Sequence, residues 1–355
     1  MTGGNTVSWP EKEIIVPGVV NMLRGNMGLK AGERLLVISD MPRSNDWVEE
    51  SSAELVNMVE RLMLGRLIAD IASEQFVDCE VVFLPFPATG SHGAEPDEAT
   101  ATRMRQADVV LAVTNYSLSH TNARTEAVKS GARLASMPRF EAKMLAPGGP
   151  LAVDARQISR DCHKIADLLN EAKEVVVRSP AGTDLRFSLE GRYGQVDDGI
   201  YGEAPGMWGN LPAGEAFTTP LENTGNGTLV APAGWYPGLK EKMVFQIENG
   251  QVVDLQGGGK VGDKFRRLLN LGSDDPLYIA RRNLAELGIG CNPNARNPEN
   301  VLEAEKIKGT VHIAIGDNIH MGGLVEADLH DDFVQPQADL ILDGKAIIIN
   351  GEWQV

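Results

Sequence analysis

Cysteine is scarce. Cys79, Cys162 and Cys291 are the only three in 355 residues, far apart and odd in number. None forms a C-x-x-C pair, so neither a disulfide framework nor a thiolate zinc site is indicated. Basic residues are also short, with 33 lysines and arginines against 49 acids and a net charge of −16. Nucleic-acid binding rests on a concentrated basic face, so no nucleic-acid partner is expected. No apolar run approaches the roughly 20 residues of a membrane span. The N-terminal MTGGNTVSWPEKEIIVPG has no cationic region leading into an apolar core. It reads as unprocessed, and a cytoplasmic protein is expected. What remains is ordinary globular composition, 43% apolar and 23% charged, enough for a substantial core. The length suggests two domains.

The first half alternates helix and strand. Residues 47–75 carry apolar positions at helical spacing without proline. Short apolar runs at 34–39, 79–84, 107–113 and 132–136 read as strands, and another helix is expected near 121–131. Continuous apolar strands separated by helices indicate a parallel sheet covered on both faces. The expected fold is therefore a doubly wound α/β domain over residues 1–173. No G-x-G-x-x-G follows its first strand, which argues against a dinucleotide site. A helix near 156–173 precedes a change of character at about 174. Asn249-Gly250 and Asp343-Gly344 sit between apolar runs, a strong hairpin signal. Residues 174–355 read as a β-rich α+β domain with helices inserted near 260–271 and 277–287.

The chemistry concentrates in Gly309–Asp332, which holds three of the six histidines: His312, His320 and His330. His330 and Asp332 stand two apart on extended chain and so share a face, as a metal site needs. In Val311–Ile315 the apolar residues line one face, while His312 and Ala314 take the other. Asp331 points away from its neighbours and is not expected to be a ligand. Two further acids have suggestive surroundings. Glu215 lies in a proline- and glycine-punctuated loop entering a strand, and Glu286 lies in ELGIGCNP, read as a partly buried helix end. Glu303-Ala-Glu305-Lys306 reads as a solvated face. Together Glu215, Glu286, His312, His330 and Asp332 form an oxygen-and-imidazole set that suits zinc, cobalt, manganese or ferrous iron. Two histidines and a carboxylate would leave open positions on one ion; five ligands with a shared carboxylate could hold two.

At this point the chain resembles the M29 metallopeptidases, the leucyl aminopeptidase or aminopeptidase T family. The likeness is carried by ADVVLAVTNYSLSHTNARTEAVKSGARLASMP, NLPAGEAFT, ELGIGCNP, GTVHIAIG and the later HDD. The family's ligands match Glu215, Glu286, His312, His330 and Asp332, and the resemblance implies homodimers. Two features depart from the peptidases. No tyrosine follows His312 in Gly316–Gly323, where His320 stands instead, and the interval from His312 to His330 is shorter. The compact form is similar to 2,5-dihydroxypyridine 5,6-dioxygenase relatives, mononuclear ferrous ring-opening enzymes on the same scaffold. That branch places histidine where this chain has Glu286, which pulls back toward the hydrolases.

The leading expectation is a metal-dependent hydrolase of aminopeptidase type acting on a small or short-peptide substrate. Glu215 or Glu286 would bridge metals or act as general base. His120, in the loop after the third strand, and His320 are the further catalytic candidates. The alternative is an Fe(II) dioxygenase opening a hydroxylated N-heteroaromatic ring. A third reading is a metal-binding protein without catalysis.

Overall fold

The computed structural model describes residues 11–355. The reading of the N-terminus as unprocessed rests in large part on residues 1–10, outside the described residues. The chain divides into two compact units, Met1–Arg156 with Gly199–Pro212, and Gln157–Asp198 with Ala213–Val355. Among the described residues no helix is long and apolar enough to cross a membrane.

Five parallel strands form the sheet of the first unit, in the spatial order Glu80–Pro87, Arg34–Met41, Val109–Thr114, Arg133–Pro138, Trp208–Asn210. The central strand VVLAVT is buried at every position, as a continuous apolar run must be when both faces are covered. Helix Ser52–Gln75 covers one face, so closely that a methyl on Gly65 would overlap the Ser39 hydroxyl. Helices Glu98–Gln106 and Asn122–Lys129 cover the other, packing Met104, Ala123 and Ala127 against Leu36, Ile38, Val110 and Leu134. The helical stretch expected over 47–75 is two pieces, Asp46–Glu49 and Ser52–Gln75. The chain breaks at Ser51, whose extended backbone lets its hydroxyl accept from Glu54 N–H at 3.2 Å and cap the longer helix.

The strand order reverses between Arg34–Met41 and Val109–Thr114, and their carboxyl ends meet there. Asp40 fills this point. Its carboxylate accepts from Asn115 N at 2.7 Å, Asn115 Nδ2 at 2.8 Å and Tyr116 N at 3.3 Å. Arg61, also buried, donates to the Asn115 side-chain oxygen and to Phe140 O. Burial pushes the Asp40 carboxyl up to about 6, against the pull of these donors and of Arg61.

The second unit holds two antiparallel sheets. The larger has eight strands, and two of its hairpins turn at Asn249-Gly250 and Asp343-Gly344. All four turn residues have positive φ, the conformation a two-residue hairpin requires and that Asn, Asp and Gly tolerate best. The smaller sheet runs His330–Gln335, Val311–Gly316, Leu284–Gly290, Glu215–Thr218, Gln195–Asp197. The helix expected over 277–287 ends at Arg281, and Glu286 lies on a strand instead. Ala285, Leu287 and Ile289 alternate with Glu286, Gly288 and Gly290, and partners on both edges fix that two-residue period. A register shift between Leu284 and Glu286 obscures it in the sequence. The fold is thus α/β, with a parallel-sheet N-terminal part and antiparallel β-rich sheets after it.

Because Asp40 is protonated in the fold and ionised in the unfolded chain between its ordinary value of 3.8 and about 6, its contribution to stability falls as pH rises through that window. Asp40→Asn is predicted to remove this component. Urea midpoints of the wild type and variant, compared at pH 4 and pH 7, should show a smaller pH 4 advantage in the variant.

Candidate metal centre

Register places the ionisable residues of the smaller sheet together. Glu286 pairs with Ala314 and Ala314 with Asp332; Gly316 pairs with His330; His312 pairs with Gly288; Glu215 pairs with Gly290 and with Asp197. Residues directly opposite in antiparallel strands share a face. One face therefore carries Asp197, Glu215, Glu286, His312, His330 and Asp332, floored by Gly288, Gly290, Ala314 and Gly316. The opposite face carries Leu287, Ile289, Val311, Ile313, Ile315 and Phe333, all buried. Phe333 packs in a ring cluster with Tyr236, Phe245 and Phe265. Tyr236 Oη donates to Asp331 at 2.7 Å, holding that carboxylate on the far side from its neighbours.

The small residues are there for room. A methyl on Gly288 would overlap the His312 imidazole, and one on Gly290 would overlap Ile307 O and crowd Glu305 O. His312 Nε2 lies 3.4 Å from Glu286 Oε1 and 3.4 Å from Glu215 Oε2. His330 Nε2 lies 3.1 Å from Glu286 Oε2 and 3.7 Å from Asp332 Oδ1. The other His330 nitrogen, Nδ1, is 2.8 Å from Asp317 O, so a proton there leaves Nε2 free to act as a ligand. Two ligand groupings result: Glu286, His312 and Asp332, and Glu215, Glu305 and His312, each with its ligand atoms within 4.8 Å of one another.

Glu305 and Lys306 correct an expectation. The stretch 303–306 is not a solvated face: Glu303 and Lys306 are buried, Lys306 at 1% exposure. Glu303 accepts from Arg296 N and Asn297 N, folding the loop, and the Lys306 carbonyl accepts from Asn292 N at 2.8 Å. Packed on Gly290, this turn points Lys306 Nζ at Glu215 Oε1 (2.5 Å), Glu305 Oε1 (2.9 Å) and Asp197 Oδ2 (3.8 Å). A high charge density made 303–306 resemble surface. Nothing in the local sequence, where Lys308 follows two residues on, marks Lys306 as buried.

Electrostatically the face is short of cations. Burial, with Glu215 and Asp332 nearby, pushes Glu305 up to about 8 despite the pull of Lys306. Burial would favour neutral Lys306 and neutral imidazoles, but the carboxylates win. Glu215, Glu305 and Asp197 hold Lys306 well above its ordinary range. Glu286, Glu215 and Asp332 raise His312 to about 9, and Asp332 and Glu286 raise His330 well above its usual value. Glu286 in turn is pulled far below the usual carboxylate range by the two histidines, against its own burial. Glu215 Oε2 and Asp332 Oδ1 are buried without a hydrogen-bond donor. Orphaned oxygens, imidazoles drawn toward the charged form and a side-chain-free floor all fit a divalent cation.

All five expected ligands, Glu215, Glu286, His312, His330 and Asp332, come onto this one face. His320 is exposed on the short turn Ile319–Met321, and His120 is exposed on a turn of the first unit. Neither belongs to the two ligand groupings.

Comparison with known proteins bears on the chemistry. The family model of NicX, 2,5-dihydroxypyridine 5,6-dioxygenase, matches residues 26–355. A 2,5-dihydroxypyridine 5,6-dioxygenase of Pseudomonas putida is 27% identical over 259 residues, 68% of this chain and 70% of that protein. The solved 2,5-dihydroxypyridine dioxygenase of P. putida KT2440 superposes with a TM-score of 0.70 at 20% identity, covering 97% of this chain and 98% of that one. Wild-type AmpT of Thermus thermophilus has the same fold, with a TM-score of 0.64 at 16% identity over 97% and 100% of the two chains. The expected aminopeptidase-type hydrolase is thereby overturned. The peptidase likeness is one of fold, whereas the family model that matches residues 26–355 is that of the dioxygenases.

Two predictions follow from the geometry. Gly288→Ala should displace the His312 ring and weaken Mn2+ binding by about 10–100-fold, the usual cost of disturbing a ligand's support, with an unchanged circular dichroism spectrum; calorimetric titration checks it. In metal-free protein, His312 is held above its unfolded value of 6.5, so its contribution is complete below 6.5 and is lost as pH rises through about 9. His312→Gln should flatten that part of the metal-free melting-temperature profile. The family match closes the assignment: the chain belongs to the NicX, 2,5-dihydroxypyridine 5,6-dioxygenase, family.

Proposed function

We propose that this protein is an Fe(II)-dependent dioxygenase that opens the ring of a hydroxylated pyridine of the 2,5-dihydroxypyridine class. The observation that carries the reading is the dioxygenase family match over residues 26–355, which includes every residue of the candidate centre. In such a reaction the bond between ring carbons 5 and 6 breaks and both atoms of O2 enter the product.

Glu286, His312, His330 and Asp332 would hold the ion, a mixed imidazole and carboxylate set of the kind ferrous iron accepts. When bound, ferrous iron would supply the redox chemistry by which O2 reacts with an electron-rich ring. The chain's own groups do the positioning. Asp317 O fixes the His330 ring, and Tyr236, by holding Asp331 on the other face, keeps the strand's second carboxylate away from the site. Gly288 leaves room for the His312 ring, and Ala314 puts only a methyl between Glu286 and Asp332.

His330→Ala and Asp332→Ala should each lower iron content and ring-opening activity at least as far as the roughly 10–100-fold seen when a ligand's outer support is lost. Anaerobic loading with Fe(II), followed by O2 uptake and loss of the 2,5-dihydroxypyridine absorbance, measures the activity. A fully iron-loaded wild type that leaves hydroxypyridines untouched would refute the assignment.

A further inference from the structure

We propose that Lys306 is a built-in second cation, whose ammonium closes a latent metal site formed by Glu215, Glu305 and His312. The two ligand groupings on the sheet face share His312. The Glu286, His312 and Asp332 grouping has no lysine or arginine within ion-pair distance among the described residues. The other has an ammonium beside it: Lys306 Nζ lies 2.5 Å from Glu215 Oε1 and 2.9 Å from Glu305 Oε1, one oxygen from each of two of its three ligand residues.

Two further observations point to a ligand position rather than an ordinary ion pair. Glu215 spends only one oxygen on the lysine. The other, Oε2, is buried, has no donor, and is aimed at His312 Nε2 at 3.4 Å. The lysine is also immobilised, not merely attracted. Asn292 N donates to its carbonyl, the loop behind it is folded by Glu303, and a methyl on Gly290 would meet the next carbonyl, that of Ile307. An ammonium held on Glu215 Oε1 and Glu305 Oε1 opposes a divalent ion beside the same carboxylates, since both seek oxygen within about 2–3 Å and like charges repel. Lys306 thus supplies charge compensation without a metal's ligand exchange or Lewis acidity, and the face is left with one metal position.

Metal counting tests this assignment whatever reaction the enzyme catalyses. Purified full-length protein is equilibrated with Mn2+ and its content measured by inductively coupled plasma mass spectrometry, with electron paramagnetic resonance to detect spin coupling. The expected result is one ion per chain in the wild type and in Lys306→Arg. Lys306→Met should bind two ions with a coupled signal, and Lys306→Met combined with Glu305→Gln should return to one. If Lys306→Met does not fold, Lys306→Gln carries the same expectation, because its shorter, uncharged side chain leaves both glutamates without an ammonium. Two ions in the wild type, or one ion in a folded Lys306→Met, would overturn the proposal.

Discussion

Carboxylates can be buried together only if positive charge is buried with them. On one face of a five-stranded sheet this chain gathers Asp197, Glu215, Glu286 and Asp332, and the turn over Gly290 adds Glu305. Lys306 supplies a fixed cation, and the histidines are drawn toward the charged form when nothing better is present. Removing one partner from such a set leaves an uncompensated buried charge, typically worth 3–5 kcal/mol. The local structure follows from this constraint. Glycines clear space for imidazole and for the lysine turn, and the strands stay in a register that keeps the five candidate ligands on one side.

Much of this was legible in the sequence wherever the signal was local. The His330 and Asp332 pair, the alternation around His312 and the Asn-Gly and Asp-Gly hairpins each depend on neighbours within a few residues. Strand and turn periodicity reads such features directly. The parallel sheet was equally visible as short apolar runs between helices. Glu286 was harder. Its strand is defined by pairing with Val311–Gly316 and Glu215–Thr218, and the shift near its start breaks the alternation a reader would use. Lys306 was not legible at all, because a charge-rich turn looks like surface until the carboxylates that bury it are brought from some 90 and 110 residues away in the chain.

Reaction type was the least local property. One scaffold serves a peptidase and a dioxygenase, and metal-ligand chemistry alone is compatible with either. Residue types at the centre narrow the metal to those that accept imidazole and carboxylate. They do not choose between polarising a carbonyl and reducing oxygen. What favours the second is the family match over residues 26–355, a property of the chain as a whole.

The strand His330–Gln335 joins two environments that could hardly differ more. Asp332 faces the charged centre, while its neighbour Phe333 lies among three aromatic rings. A slip of one residue would exchange them, driving a carboxylate into the rings and a phenyl group among the ions. Hydrocarbon packing on one side and charge on the other therefore reject the same error. The centre is proofread by the core behind it, so the strand that carries its ligands can be held in register before any metal arrives.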